Sequence, residues 1–97
     1  MTDPDSRTFV AECFWPGVRE DDLRALDERA AAKAQEVADH GGAVSYLGSV
    51  LMREDEVVLC RFRGATEAVT QAALAADIPF TRILETAQSP WPRSRVD

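Results

Sequence analysis

Histidine is nearly missing from this 97-residue chain, with His40 its single example, and tyrosine is equally scarce, with Tyr46 alone. The two cysteines, Cys13 and Cys60, lie far apart and form no CxxC pair. Zinc-type sites need several imidazoles or thiolates at short spacing, and these residues cannot supply them locally. Isolated thiols suit a reducing compartment, so a cytoplasmic location is expected. Basic residues are also in deficit: 11 Lys and Arg stand against 17 Asp and Glu, for a net charge of −6. That balance argues against nucleic acid, whose phosphates demand clustered cations, and against an anionic membrane surface. No apolar run approaches the length of a transmembrane helix. The opening Met1-Thr2-Asp3-Pro4-Asp5 is acidic and polar, unlike a signal peptide.

What is present is an ordinary globular composition, 45% hydrophobic and 29% charged, of a size that fits one domain. Residues 1–6 read as a flexible arm, 7–88 as the folded domain, and 89–97, with two prolines and two arginines, as a tail. The run Arg7 to Trp15 is aromatic and β-prone and ends at Pro16-Gly17. Leu23, Leu26, Ala30, Ala34, Val37 and Ala38 recur at helical spacing within Glu20 to His40. Glu20, Asp21 and Asp22 place negative charge at the start of that helix, and Gly41-Gly42 ends it. Ala43 to Met52 and Glu56 to Arg63 are strand-like, and the polar Arg53-Glu54-Asp55 between them predicts an antiparallel hairpin. Thr66 is a candidate N-cap for a second helix to about Ala76, with Val69, Ala72, Ala73 and Ala76 on its inner stripe. After Asp77-Ile78-Pro79, Phe80 to Ala87 predicts a fourth strand.

Two strand–helix–strand units joined by a hairpin predict an α+β fold of ferredoxin-like βαββαβ topology, a four-stranded antiparallel sheet with two helices on one face. The other face would then be bare. By simple alternation Val10, Leu47, Leu51 and Leu59, or their neighbours, would populate it, and either set is substantially apolar. A one-sided sheet normally alternates apolar with polar, so this pattern predicts a homodimer closed through the bare faces.

Several stretches resemble a known family. They are Phe9-Val10-Ala11-Glu12 leading to Pro16-Gly17, Tyr46-Leu47-Gly48-Ser49, Val58-Leu59-Cys60-Arg61-Phe62, and Ile78-Pro79-Phe80-Thr81-Arg82-Ile83. They look like small actinobacterial-type proteins grouped as a domain of unknown function, one member of which is nickel-responsive and nickel-binding. The likeness runs from about Phe9 to Thr86 and rests on structural punctuation rather than on chemistry. It implies a dimeric ferredoxin-like α/β barrel and a nickel cofactor. Divalent nickel favours imidazole and carboxylate ligands, for which this chain offers His40 and Glu12 as candidates. With so few donors, nickel is expected to bind weakly or only through positions shared across a dimer.

Glu12 stands mid-strand, an unfavourable place for a carboxylate without a partner, and Arg61 and Arg82 are the candidates to pair with it. Glu12, Tyr46, Ser49 and Arg61 together could line a polar ligand pocket. The plainer readings are a solvated helix-end histidine, two buried thiols, a core-capping Trp15, a tail-anchoring Trp91 and a solvated Glu54-Asp55-Glu56 turn. Three functional classes follow. The first is a homodimeric ligand- or metal-binding protein. The second is a small monooxygenase- or isomerase-type barrel enzyme, with Glu12 or Tyr46 as its general base. The third is a protein-interaction module using the outer helices or the tail.

Overall fold

The computed structural model describes residues 7–89. The predicted arm at 1–6 and Trp91, with nearly all of the predicted tail, lie outside the described residues. The elements are β1 (Thr8–Phe14), α1 (Glu20–Asp39), β2 (Val44–Met52), β3 (Val57–Gly64), α2 (Thr66–Ala75) and β4 (Arg82–Thr86). The strands form one sheet in the order β2-β3-β1-β4, every neighbouring pair antiparallel. The fold is ferredoxin-like α+β.

Local chemistry sets the ends of α1. The Asp22 carboxylate accepts the Arg19 backbone N–H at 2.9 Å, and Glu20 and Asp21 add negative charge in the same turn. At the far end Gly42 N–H donates to Val37 O and Gly41 N–H to Ala38 O, with Gly41 at φ +94°, a Schellman termination. Helix α2 begins one residue earlier than Thr66 as N-cap would require. Ala65 is the extended N-cap, because its N–H closes the strand on Ala43 O while its carbonyl accepts from Val69. Strand β4 starts at Arg82 rather than Phe80: Phe80 N–H turns back to Ile78 O at 2.8 Å, which keeps it off the ladder.

Leu26, Ala30, Ala34 and Val37 of α1 and Ala68, Val69, Ala72 and Ala73 of α2 are buried against one face of the sheet. That face supplies Phe9, Ala11, Cys13, Val44, Val58, Cys60 and Phe62. The many alanines allow the helices close approach, since interaxial distance depends on the side chains at the contact. Arg29 of α1 also donates to the Ala76 carbonyl past the end of α2, at 3.1 Å.

Simple alternation fails in β2. The β2–β3 register shifts between Tyr46 and Gly48, and Leu47 has no partner on β3. Gly48 sits at φ +104°, a conformation that suits glycine and accompanies a bulge. The extra residue reverses the faces beyond it. Tyr46 (opposite Phe62), Ser49 (opposite Cys60) and Leu51 (opposite Val58) all lie on the helix side, whereas Gly48, Val50 and Met52 lie on the bare side. Leu51 therefore packs against the core instead of lining the bare face as alternation suggested.

Leu26 is fully buried, so Leu26→Ala is expected to cost about 2–5 kcal/mol, the range for emptying a packed site. A denaturant curve with an unchanged midpoint would show that α1 does not depend on this stripe.

Candidate functional site

The strand register arranges the bare face in four rows. Across β4, β1, β3 and β2 the first reads Thr86, Thr8, Arg63, Ser45, and the second Leu84, Val10, Arg61, Gly48. The third reads Arg82, Glu12, Leu59, Val50, and the last holds Phe14, Val57 and Met52. The face is thus polar at one end, apolar at the other, and mixed in the two middle rows. Five large apolar side chains are exposed among the described residues, and four of them, Phe14 (62%), Val50 (44%), Met52 (38%) and Leu84 (37%), belong to this face. Leu74, on α2, is the fifth.

Charge on the face is uneven. Glu12 is held by Arg82, with Arg82 Nε 2.7 Å from Glu12 Oε1. Of the two partners proposed for this carboxylate, Arg82 is the one it takes. Arg61 instead donates from Nη2 to the carbonyl of the bulged Leu47 at 2.8 Å. Its Nε is buried and finds no acceptor among the described residues. The guanidinium lies beside Gly48, where an added Cβ would come 3.6 Å from Nη2.

The other two candidates of the predicted pocket sit on the opposite side of the sheet. Tyr46 lies edge-on to Phe62 and donates its hydroxyl to Asp27 Oδ1 of α1 at 2.5 Å. Burial, and then the hydrogen bond to Asp27, hold the phenol well above the usual tyrosine range. A phenol so held cannot act as a base near neutral pH. Ser49 shares its side, opposite Cys60. The four residues therefore do not form one site: Glu12 and Arg61 are on the bare face, Tyr46 and Ser49 beneath the helices. Nothing in the composition could have revealed the split, because Tyr46 is placed by the β2–β3 register and Ser49 by the bulge.

Both thiols are buried and free. The hydrogen bond to Cys13, followed by burial, pushes the Cys60 thiol far above its ordinary range. His40 is the exposed C-cap of α1, and its Nδ1–H donates to Glu36 O at 2.8 Å. The neighbouring Glu36 carboxylate is taken by Lys33 at 3.2 Å. Glu12, the other metal candidate, is on the bare face and already paired. No group of three or more His, Cys, Asp or Glu side chains suited to a metal occurs among the described residues. The described donors of one chain do not by themselves fit a nickel centre. Trp15 packs against the core, and Glu56 of the acidic turn accepts the Gly17 N–H at 2.9 Å.

No protein-family model, curated protein or solved structure matches the chain.

Tyr46 and Asp27 join β2 to α1, and Tyr46→Phe would leave the carboxylate without its donor. A loss of about 1–2 kcal/mol at neutral pH is expected. The phenol ionises near pH 10 when unfolded but remains protonated when folded, so its contribution is complete below about pH 10 and is lost as the pH rises further. Alkaline unfolding should therefore be less steep above about pH 10 in Tyr46→Phe than in the parent protein. Cys60 interacts with Tyr46 and is itself pushed up, so the same comparison in a Cys60→Ala background isolates the phenol. Identical alkaline slopes would show that another group controls that limb.

Proposed function

We propose that the protein is a homodimeric binding protein that holds a small ligand between the bare sheet faces of its two copies. The observation that carries this reading is the make-up of the bare face. Large apolar side chains surround a few polar groups, Glu12 with Arg82 and Arg61, at positions fixed by a rigid sheet. Specific ligand sites share that composition, mostly apolar with a few placed polar groups. The apolar surface alone favours association at roughly 25 cal/mol per Å² removed from water, less the costs of binding. A two-fold axis is the commonest way for one surface to cover itself.

An enzymatic reading has weaker support. Tyr46 is buried on the helix side with its proton held, and Glu12 is tied to Arg82. The first is on the wrong side of the sheet for a substrate on the bare face, and the second is engaged in an ion pair.

The test is oligomeric state. Light scattering at micromolar concentration should report a dimer for the parent protein. Leu59→Glu puts a charge in the third row and should give monomer or aggregate, as should Val50→Glu. Leu74→Glu, on the exposed side of α2, should leave the dimer intact. A monomeric parent protein would overturn the proposal.

A further inference from the structure

The charges of the bare face differ in sign from those of the molecule as a whole. The chain carries a net charge of −6, yet among the described residues Arg61, Arg63 and Arg82 on this face meet only Glu12. Arg82 and Glu12 offset one another at 2.7 Å. That leaves Arg61 and Arg63, neither with an ion-pair partner among the described residues. The two are adjacent alternate residues of β3, so their charges reinforce each other on one side of the sheet.

Arg61 is the better placed of the two. Arg63 is exposed in the polar row, whereas Arg61 is half-buried between Val10 and Gly48. One hydrogen bond to the Leu47 carbonyl fixes its guanidinium, and Nε has no acceptor among the described residues. A partly desolvated guanidinium with unused donors lacks compensation among the described residues. Gly48 places no side chain beside it, so space remains over β2. Next to this head lie Val10 and Leu84 in the same row and Leu59 and Val50 in the next, two apolar pairs that flank Arg61 and meet diagonally beside Glu12.

We infer that the ligand is an organic anion with an apolar body, its carboxylate or phosphate head held by Arg61 and its body laid along Val10, Leu59 and Val50. The inference rests on the proposed dimer. Two copies face to face bring four uncompensated arginines, Arg61 and Arg63 of each, toward one another, and like charges across an interface oppose it. The one carboxylate in the rows of this face, Glu12, is already engaged by Arg82 of its own chain. An anion offsets the repulsion and gives Arg61 its missing acceptor, in the forked geometry for which guanidinium suits carboxylate and phosphate.

The experiment compares two fluorescent probes with related aromatic rings on the full-length protein: anilinonaphthalene sulfonate, which carries an anionic group, and neutral phenyl-naphthylamine. Light scattering on the same samples reads the dimer separately. The sulfonate probe should bind at least about tenfold more tightly than the neutral one, with a preference that falls as salt rises. Arg61→Gln should lower sulfonate affinity by about tenfold, the scale of one charge-assisted hydrogen bond, and leave the neutral probe unchanged. Arg61→Lys, which keeps the charge, should retain part of the preference, and Arg63→Gln should lose less than Arg61→Gln. Competition with octanoate and with octyl phosphate tells a carboxylate ligand from a phosphate one, and displacement by either supports the inference. Equal affinity for the two probes in a confirmed dimer, or an undiminished preference in a folded, dimeric Arg61→Gln, overturns the anion inference and leaves the dimer standing. A monomeric parent protein removes the dimer itself.

Discussion

A four-stranded antiparallel sheet offers two faces, and in this chain both helices pack on the same one. Every later feature depends on that imbalance. The covered face holds the core, from Phe62 and Leu26 to the alanines that bring α1 and α2 together. The bare face keeps its apolar side chains exposed, and backbone hydrogen bonding cannot remove them, because the pleat must send alternate residues outward. Among the described residues there is no third helix to cover them.

Within that constraint, the bulge at Leu47 decides the character of the bare face. It sends Val50 and Met52 outward, turns Leu51 toward the core, and frees the Leu47 carbonyl to receive Arg61. It also turns Ser49 to the helix side, where Tyr46 already lies by ordinary alternation from Val44. Tyr46 becomes a strut between sheet and helix through Asp27, and Ser49 pairs with the core residue Cys60 on the same side of the sheet. One inserted residue thus distributes the available polar chemistry between structural and exposed roles.

The charge pattern has the same origin. Acidic residues crowd the helical layer, where Glu20, Asp21 and Asp22 favour the start of α1. The arginines of β3 alternate outward with Leu59, away from that layer. A protein acidic overall therefore presents a basic sheet face, a contrast invisible in net charge.

The sequence by itself determined the order and kind of the elements, the stripe Leu26, Ala30, Ala34 and Val37, the glycine end of α1 and the hairpin. These follow from periodicity, turn chemistry and propensity, all local properties of the chain. The sequence also marked Glu12 as a carboxylate in need of a partner, because a charge in a strand must be paired or solvated wherever it falls. Which arginine it takes, which side of the sheet Tyr46 and Ser49 occupy, and where Arg61 is left uncompensated were decided only by the tertiary structure. Strand order brings Arg82 opposite Glu12 from the other end of the chain, and the register shift at Leu47 breaks the alternation on which a face assignment must rely. Pairing across a sheet is long-range, and a bulge moves side chains between faces without altering the composition from which periodicity is read.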